Sequence, residues 1–147
     1  MVESGDAEPG HQSPPRHLTA VQAQLYDLLK RGLEPASAYQ LMDQLNQACD
    51  ARVYPQTVYR ALTRLQALGL VHRVESSNAY LACCAPAQPH RCIHLLCDRC
   101  GNAEELIDTQ ISGDLEADAE QRQFLVQRQI VELHGVCRHC ASQGATT

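Results

Sequence analysis

The sequence predicts an α+β chain: an N-terminal winged helix-turn-helix followed by a small α/β dimerisation domain with a structural four-cysteine zinc site. Three observations predict it. Three stretches with apolar residues at helical spacing are followed by a short β-rich pair between Leu18 and Cys83. Two CxxC pairs, Cys97/Cys100 and Cys137/Cys140, lie thirty-six residues apart in the second half. That second half is a short α/β segment that buries little alone, so a metal and a second subunit are needed to complete it.

The elements follow in order. Residues 1–15 are rich in Pro, Gly, Ser and His with almost no apolar side chain, which predicts a disordered tail. Thr19 is suited to cap a first helix whose apolar face is Val21, Leu25, Leu28 and Leu29, with Gly32 at its end. Pro35 separates it from a second helix, capped by Ser37 and burying Leu41, Leu45 and Ala48. Pro55 suits the first position of a third helix, with Val58, Ala61, Leu62, Leu65 and Leu68 inward and Gly69 at its end. Leu70–Glu75 and Ala79–Cys83 read as a hairpin around Ser76-Ser77-Asn78, which closes a winged-helix domain over 16–83.

Residues 84–92 carry two prolines and no periodicity and read as a hinge. A zinc-stapled dimerisation domain over 93–140 is then built from strands at Ile93–Cys97 and Ala103–Asp108, a helix capped by Ser112 and ending near Gln123, and a strand from Gln129 to Leu133. Residues 141–147 read as a tail.

Composition narrows the class. No apolar run is long enough to span a membrane and no signal segment is visible at Met1–Arg16, so a cytoplasmic protein with its eight cysteines reduced and available to metal is expected, with no membrane partner. The net charge of −5 is unevenly spread. Between Arg16 and Val74 seven basic residues face four acidic ones (+3), whereas from Pro86 onward five face nine (−4). A basic first half joined to an acidic second half points to domains with different partners.

Four chemistry-bearing groups stand out. Cys97, Cys100, Cys137 and Cys140 match tetrahedral zinc, since two intervening residues let both sulfurs of a pair reach one ion at about 2.3 Å. A four-thiolate site leaves no position open to substrate, so its role is structural. The outward face of the third helix holds Gln56, Thr57, Tyr59, Arg60, Thr63 and Arg64, residue types that contact base edges and phosphates when a recognition helix enters a groove; Tyr39 on the second helix faces outward as well. Alone, such a face is an ordinary solvated one, and the winged-helix context favours double-stranded DNA as its partner. The ligand types left over, His72, Cys83, His90 and Glu105, straddle the hinge; each has an ordinary structural explanation, yet together they offer a second metal site that would lock the two domains. An enzyme reading fares poorly, because a zinc deaminase needs His-x-Glu and Pro-Cys-x-x-Cys and neither is present.

The runs Pro55-Gln-Thr-Val-Tyr-Arg-Ala-Leu62, Val71-His-Arg-Val-Glu-Ser-Ser-Asn-Ala-Tyr80, Cys97-Asp-Arg-Cys-Gly101 and His134-Gly-Val-Cys-Arg-His-Cys140 resemble the ferric uptake regulator family, and most closely its zinc-responsive branch. The resemblance implies a homodimeric, metal-dependent repressor of zinc uptake and homeostasis genes, not an enzyme, that binds operator DNA and takes no small-molecule substrate. It implies two zinc ions per subunit, a structural one at Cys97, Cys100, Cys137 and Cys140 and a sensing one at His72, Cys83, His90 and Glu105. Cys92 and His94 stand where relatives can have ligands and are possible additions. Tyr39 and Arg60 are implied DNA contacts. Gln129 stands where a further family site would want a histidine, which argues against a third metal. A repressor tuned to iron or nickel, or a zinc/thiol redox switch, are the alternatives.

Overall fold

The computed structural model describes residues 17–86, 90–107 and 109–144. The expected tail at 1–15, the middle of the hinge, Asp108 and the last three residues lie outside the described residues.

Three helices open the chain: α1 (Ala20–Arg31), α2 (Ala38–Ala48) and α3 (Pro55–Ala67). The first two start in reciprocal capping boxes. Gln22 N–H donates to Thr19 Oγ1 (3.3 Å) and Thr19 N–H to Gln22 Oε1 (3.1 Å). Ser37 and Gln40 repeat the pattern at 3.2 and 2.8 Å, so each pair satisfies two backbone donors that a helix start leaves open. Pro55 occupies the first turn of α3, where no N–H is needed. Asn46 donates to and accepts from Val53 (3.2 and 2.7 Å), fixing the α2–α3 turn. Gly69, at φ +72°, ends α3 in the left-handed conformation that lets Leu70 N–H reach Leu65 C=O. Ala48 differs from expectation: it is exposed, and Ala38 takes the buried place beside Leu41 and Leu45.

Strands β1 (Val71–Val74) and β2 (Ala79–Ala82) pair antiparallel, from Val71 opposite Ala82 to Val74 opposite Ala79. Tyr80 exchanges two backbone hydrogen bonds with Ala36, tying the hairpin to the loop before α2. Leu25, Leu29, Leu41, Leu45, Val58, Leu62, Leu65 and Val71 fill the core of this three-helix-plus-wing domain.

The second half is a three-stranded sheet in the order β4-β3-β5: β3 (Cys92–Cys97), β4 (Ala103–Ile107) antiparallel to it, and β5 (Val131–Gly135) parallel to it. Between β4 and β5 lies α4 (Thr109–Gln121). This helix begins a turn before Ser112, which is therefore no cap; Ser112 is buried inside the helix and its carbonyl accepts from Arg91 Nη1 at 3.2 Å. The helix closes at Gln121, with Gln123 at φ +56° just beyond it. The last strand is shifted by two residues from Gln129–Leu133, because its pairing with β3 runs from Val131 opposite Ile93 to Gly135 opposite Cys97. A short helix, α5 (Arg138–Gln143), carries the chain into the stretch read as a tail. Few side chains are buried here. Leu106, Ile107, Ile111, Leu115, Ile130, Leu133 and Val136 remain 41–53 % exposed.

Candidate metal centres and nucleic-acid interface

The two CxxC pairs are brought together by turns at one end of the sheet. Cys97 ends β3, and Gly101, at φ +75°, allows its N–H to return to Cys97 C=O (2.9 Å), bringing Cys100 back over Cys97. Cys137 caps α5 and Cys140 lies in its first turn. Parallel pairing of β5 with β3 sets Gly135 beside Cys97, and Asp98 N–H donates to Gly135 C=O at 2.8 Å, which brings the knuckles together. All four sulfurs lie within 4.8 Å of one another, with Cys100 Sγ and Cys137 Sγ 3.8 Å apart. Tetrahedral zinc at about 2.3 Å from each sulfur separates the sulfurs by about 3.8 Å, so the donor set fits that ion. Backbone N–H groups of Cys137 and Cys100 hold the Cys97 thiol down to about 6. Burial and the adjoining thiols push Cys140 up to about 12. The quartet therefore begins with a ready thiolate and gives up further protons when metal arrives.

A second cluster sits between the two halves. His72 comes from the middle of β1, Cys83 from the residue after β2, His90 from the linker, Cys92 from the start of β3 and Glu105 from β4. One donor atom of each lies within 4.8 Å of all the others. Cys83 Sγ is 3.2 Å from His90 Nε2, and Cys92 Sγ is 3.4 Å from His72 Nε2. Glu105 Oε1 is 3.6 Å from both His72 Nε2 and His94 Nε2, too long for hydrogen bonds. The Glu105 side chain is 2 % exposed, and its Oε1 and His94 Nε2 are buried with no hydrogen-bond partner. An unsatisfied buried carboxylate oxygen is costly, and a cation among these donors would satisfy it. The residues present fit a metal ion.

Electrostatics agree with that use. Burial pushes the Glu105 carboxyl up, but His94, the Cys84 thiol and N–H, and His72 outweigh it and hold the group at about 2, so it is ionised at neutral pH. Its second oxygen accepts Cys84 N–H at 2.6 Å, which aims Oε1 at the cluster. Burial lowers His72, keeping it in the neutral, metal-binding form. Burial raises Cys83, and burial with the Glu105 charge raises Cys92, so both are thiols before metal enters.

The structure thus brings together all four hinge residues singled out from the sequence, with Cys92 as a fifth donor. His94 stands outside the five, with its Nε2 3.6 Å from the same Glu105 Oε1. Two such clusters occur among the described residues. At the position where a third might form, Gln129 Oε1 accepts from Arg91 Nη1 (3.2 Å), and Arg91 also pairs with Glu116, so a guanidinium holds the place of a cation.

On α3, Gln56, Thr57, Tyr59, Arg60 and Arg64 all face solvent, as does Tyr39 on α2, 59 % exposed. Tyr54, just before Pro55 at the start of α3, is exposed as well (64 %).

Known proteins resemble much of the chain. The zinc uptake regulation protein of Escherichia coli K12 is 38 % identical over 105 residues, covering 71 % of this chain and 61 % of that protein, so the chain spans about three-fifths of that relative's length. A solved structure of a zinc uptake regulator complexed with zinc and DNA superposes with a TM-score of 0.84 at 34 % identity, covering 88 % of this chain and 87 % of that one. The crystal structure of holo XcZur gives 0.77 at 41 % identity, covering 85 % and 86 %. The model of the ferric uptake regulator family matches residues 16–141, and the chain belongs to that family.

Proposed function

We propose that this chain is a zinc-responsive transcriptional repressor, not an enzyme, that binds operator DNA as a homodimer when its hinge cluster is filled, and so controls genes of zinc uptake and homeostasis in the cytoplasm. The observation that carries the reading is where the hinge donors come from. His72 and Cys83 belong to the wing, Glu105 to the C-terminal sheet, and His90 to the chain between them. Bound there, zinc supplies a cross-link between the DNA-binding domain and the sheet. His72, Cys83, His90 and Glu105 converge best in one relative placement of the domains, so filling the cluster narrows the placements that α3 samples.

In a symmetric dimer that narrowing sets the spacing of two recognition helices against two half-sites. The exposed apolar residues of α4, β4 and β5, with a cleft of about 870 Å³ bounded by Leu95, Leu96, Leu133 and Val136, suit a second copy of the chain. Gln56, Thr57, Tyr59, Arg60, Arg64 and Tyr39 then face the DNA, Arg60 and Arg64 one turn apart on the same face. The Cys97, Cys100, Cys137 and Cys140 site holds a second, structural zinc per subunit. Thiolates at Cys83 and Cys92 favour zinc over harder ions. The relative solved with zinc and DNA supports the reading.

The test is a titration of buffered zinc, iron and nickel into protein already holding its structural zinc, following binding to palindromic operator-like DNA at fixed salt. Zinc alone is expected to raise affinity at low free concentration. A response to iron or nickel at lower free metal than zinc would assign the sensor to another ion, and no metal response would reject the reading.

A further inference from the structure

We propose that Glu132 is a positioning residue that fastens the wing to the C-terminal sheet and thereby sets how fully occupancy of the hinge cluster reaches the recognition helix. The proposal rests on the zinc-responsive reading above. Glu132 lies on β5, away from α3, and belongs to neither metal cluster. Its carboxylate, 10 % exposed, accepts the N–H of Glu75 at 2.6 Å through Oε1 and the N–H of Ser76 at 3.2 Å through Oε2. Both donors belong to the turn at the tip of the wing, which β1–β2 pairing ends just before. An ionised carboxylate bridging two adjacent backbone amides from a residue fifty-seven positions away is a directed grip on that turn.

The surroundings maintain the grip. Glu75 brings a second negative charge close by, and its carboxylate is turned onto Arg128 at 3.0 Å and Arg73 at 3.8 Å. Arg73 in turn donates to Asn78 Oδ1 at 2.7 Å, closing the wing turn on itself. His134 Nε2 stands 3.8 Å from Glu132 Oε2, beyond hydrogen-bond range.

Strand register connects this grip to the metal cluster. His94 on β3 is paired with Glu105 on β4 and with Glu132 on β5. Directly paired residues share a face of a sheet, so the three form one row on the side facing the wing. Glu105 ends the row at the hinge cluster and Glu132 ends it at the wing tip. The wing is therefore held at two places, its base by His72 and Cys83 in the cluster and its tip by Glu132. The Leu33 carbonyl also accepts Ala103 N–H at 3.1 Å, joining the loop after α1 to the start of β4. With the cluster and that contact holding the rest of the domain, the grip of Glu132 fixes the wing tip against the sheet and transmits the closed cluster to α3 as one orientation.

The experiment compares wild type, Glu132→Ala and Glu132→Gln, each a full chain holding its structural zinc. Three quantities are read: zinc affinity of the hinge cluster by chelator competition, DNA affinity with and without zinc, and hydrogen exchange of the Glu75 and Ser76 amides. Glu132→Ala is expected to keep hinge zinc affinity within about threefold, to lose about tenfold or more in DNA affinity at saturating zinc with little change in its absence, and to exchange both amides faster. Glu132→Gln keeps the shape and one acceptor and is expected to fall between; it is read by the same criteria if the alanine variant does not fold. Faster amide exchange with wild-type DNA affinity at saturating zinc overturns the positioning role, and unchanged exchange overturns the contact. Equal losses of DNA affinity with and without zinc also overturn it, because they show general damage. Wild-type protein whose DNA affinity ignores zinc rejects the functional reading itself, before any variant is compared.

Discussion

Glu105 is ionised at any physiological pH and buried with one oxygen unsatisfied, whereas the thiols around it are held protonated. Zinc binding at the hinge must therefore displace protons from sulfur and none from Glu105 or the neutral His72. Protons are bound in the empty state and released in the filled one, so affinity rises with pH. The slope is expected to be about tenfold per pH unit for each thiolate formed, between pH 6 and 8, measured by chelator competition. Cys83→Ser is expected to weaken hinge zinc by more than the roughly 10–100-fold that a supporting residue costs, while structural zinc stays bound. Metal analysis after dialysis against a moderate chelator separates the two, and a variant retaining wild-type hinge affinity would remove Cys83 from the ligand set. His72, Cys83, His90 and Glu105 could be singled out in the sequence because they straddle the hinge, and the fold brings their donor atoms within 4.8 Å of one another. Glu132 was not, since a lone glutamate in a strand belongs to no motif and its role depends on an amide pair fifty-seven residues away.

At the scale of elements, the three N-terminal helices were readable because several local signals agree on each one. Thr19 with Gln22 and Ser37 with Gln40 form capping boxes, and the apolar stripes they precede are buried in the same domain. Ser37→Ala is expected to cost about 1 kcal/mol in chemical denaturation of the N-terminal domain. Gly101 also belongs to this scale: alanine there meets Glu34 side-chain atoms no closer than 3.6 Å, so the penalty comes from its φ of +75° and not from crowding. About 1–2 kcal/mol of strain is expected, read as faster loss of structural zinc to a chelator from Gly101→Ala than from wild type. The C-terminal elements were less readable for a physical reason. Ile111 and Leu115 of α4 and Leu133 of β5 are exposed, so their spacing answers to a face that the described residues do not cover. The expected cap at Ser112 fails because the helix starts at Thr109 and buries Ser112, whose carbonyl accepts from Arg91.

For the molecule as a whole, burial is lopsided. The packed apolar core lies in the N-terminal half, while the C-terminal half relies on the sulfur quartet, the three-stranded sheet and, in the proposed dimer, a second subunit. Stripping zinc from Cys97, Cys100, Cys137 and Cys140 is therefore expected to dissociate the dimer and loosen β3–β5 while leaving α1–α3 folded, as read by sedimentation and hydrogen exchange. The bipartite plan was legible from cysteine spacing and charge asymmetry, but the way the halves meet was not, because it depends on register: His94 between Glu105 and Glu132 places the metal cluster and the wing tip on one row. The central claim is that hinge metal and DNA select the same placement of the two domains, and linkage then requires each to tighten the other. The most direct measurement is zinc affinity of the hinge cluster in the absence and presence of saturating operator-like DNA, with structural zinc held constant. The account predicts affinity at least about fivefold tighter on DNA, equal to the factor by which zinc tightens DNA; the same zinc affinity with and without DNA would contradict it.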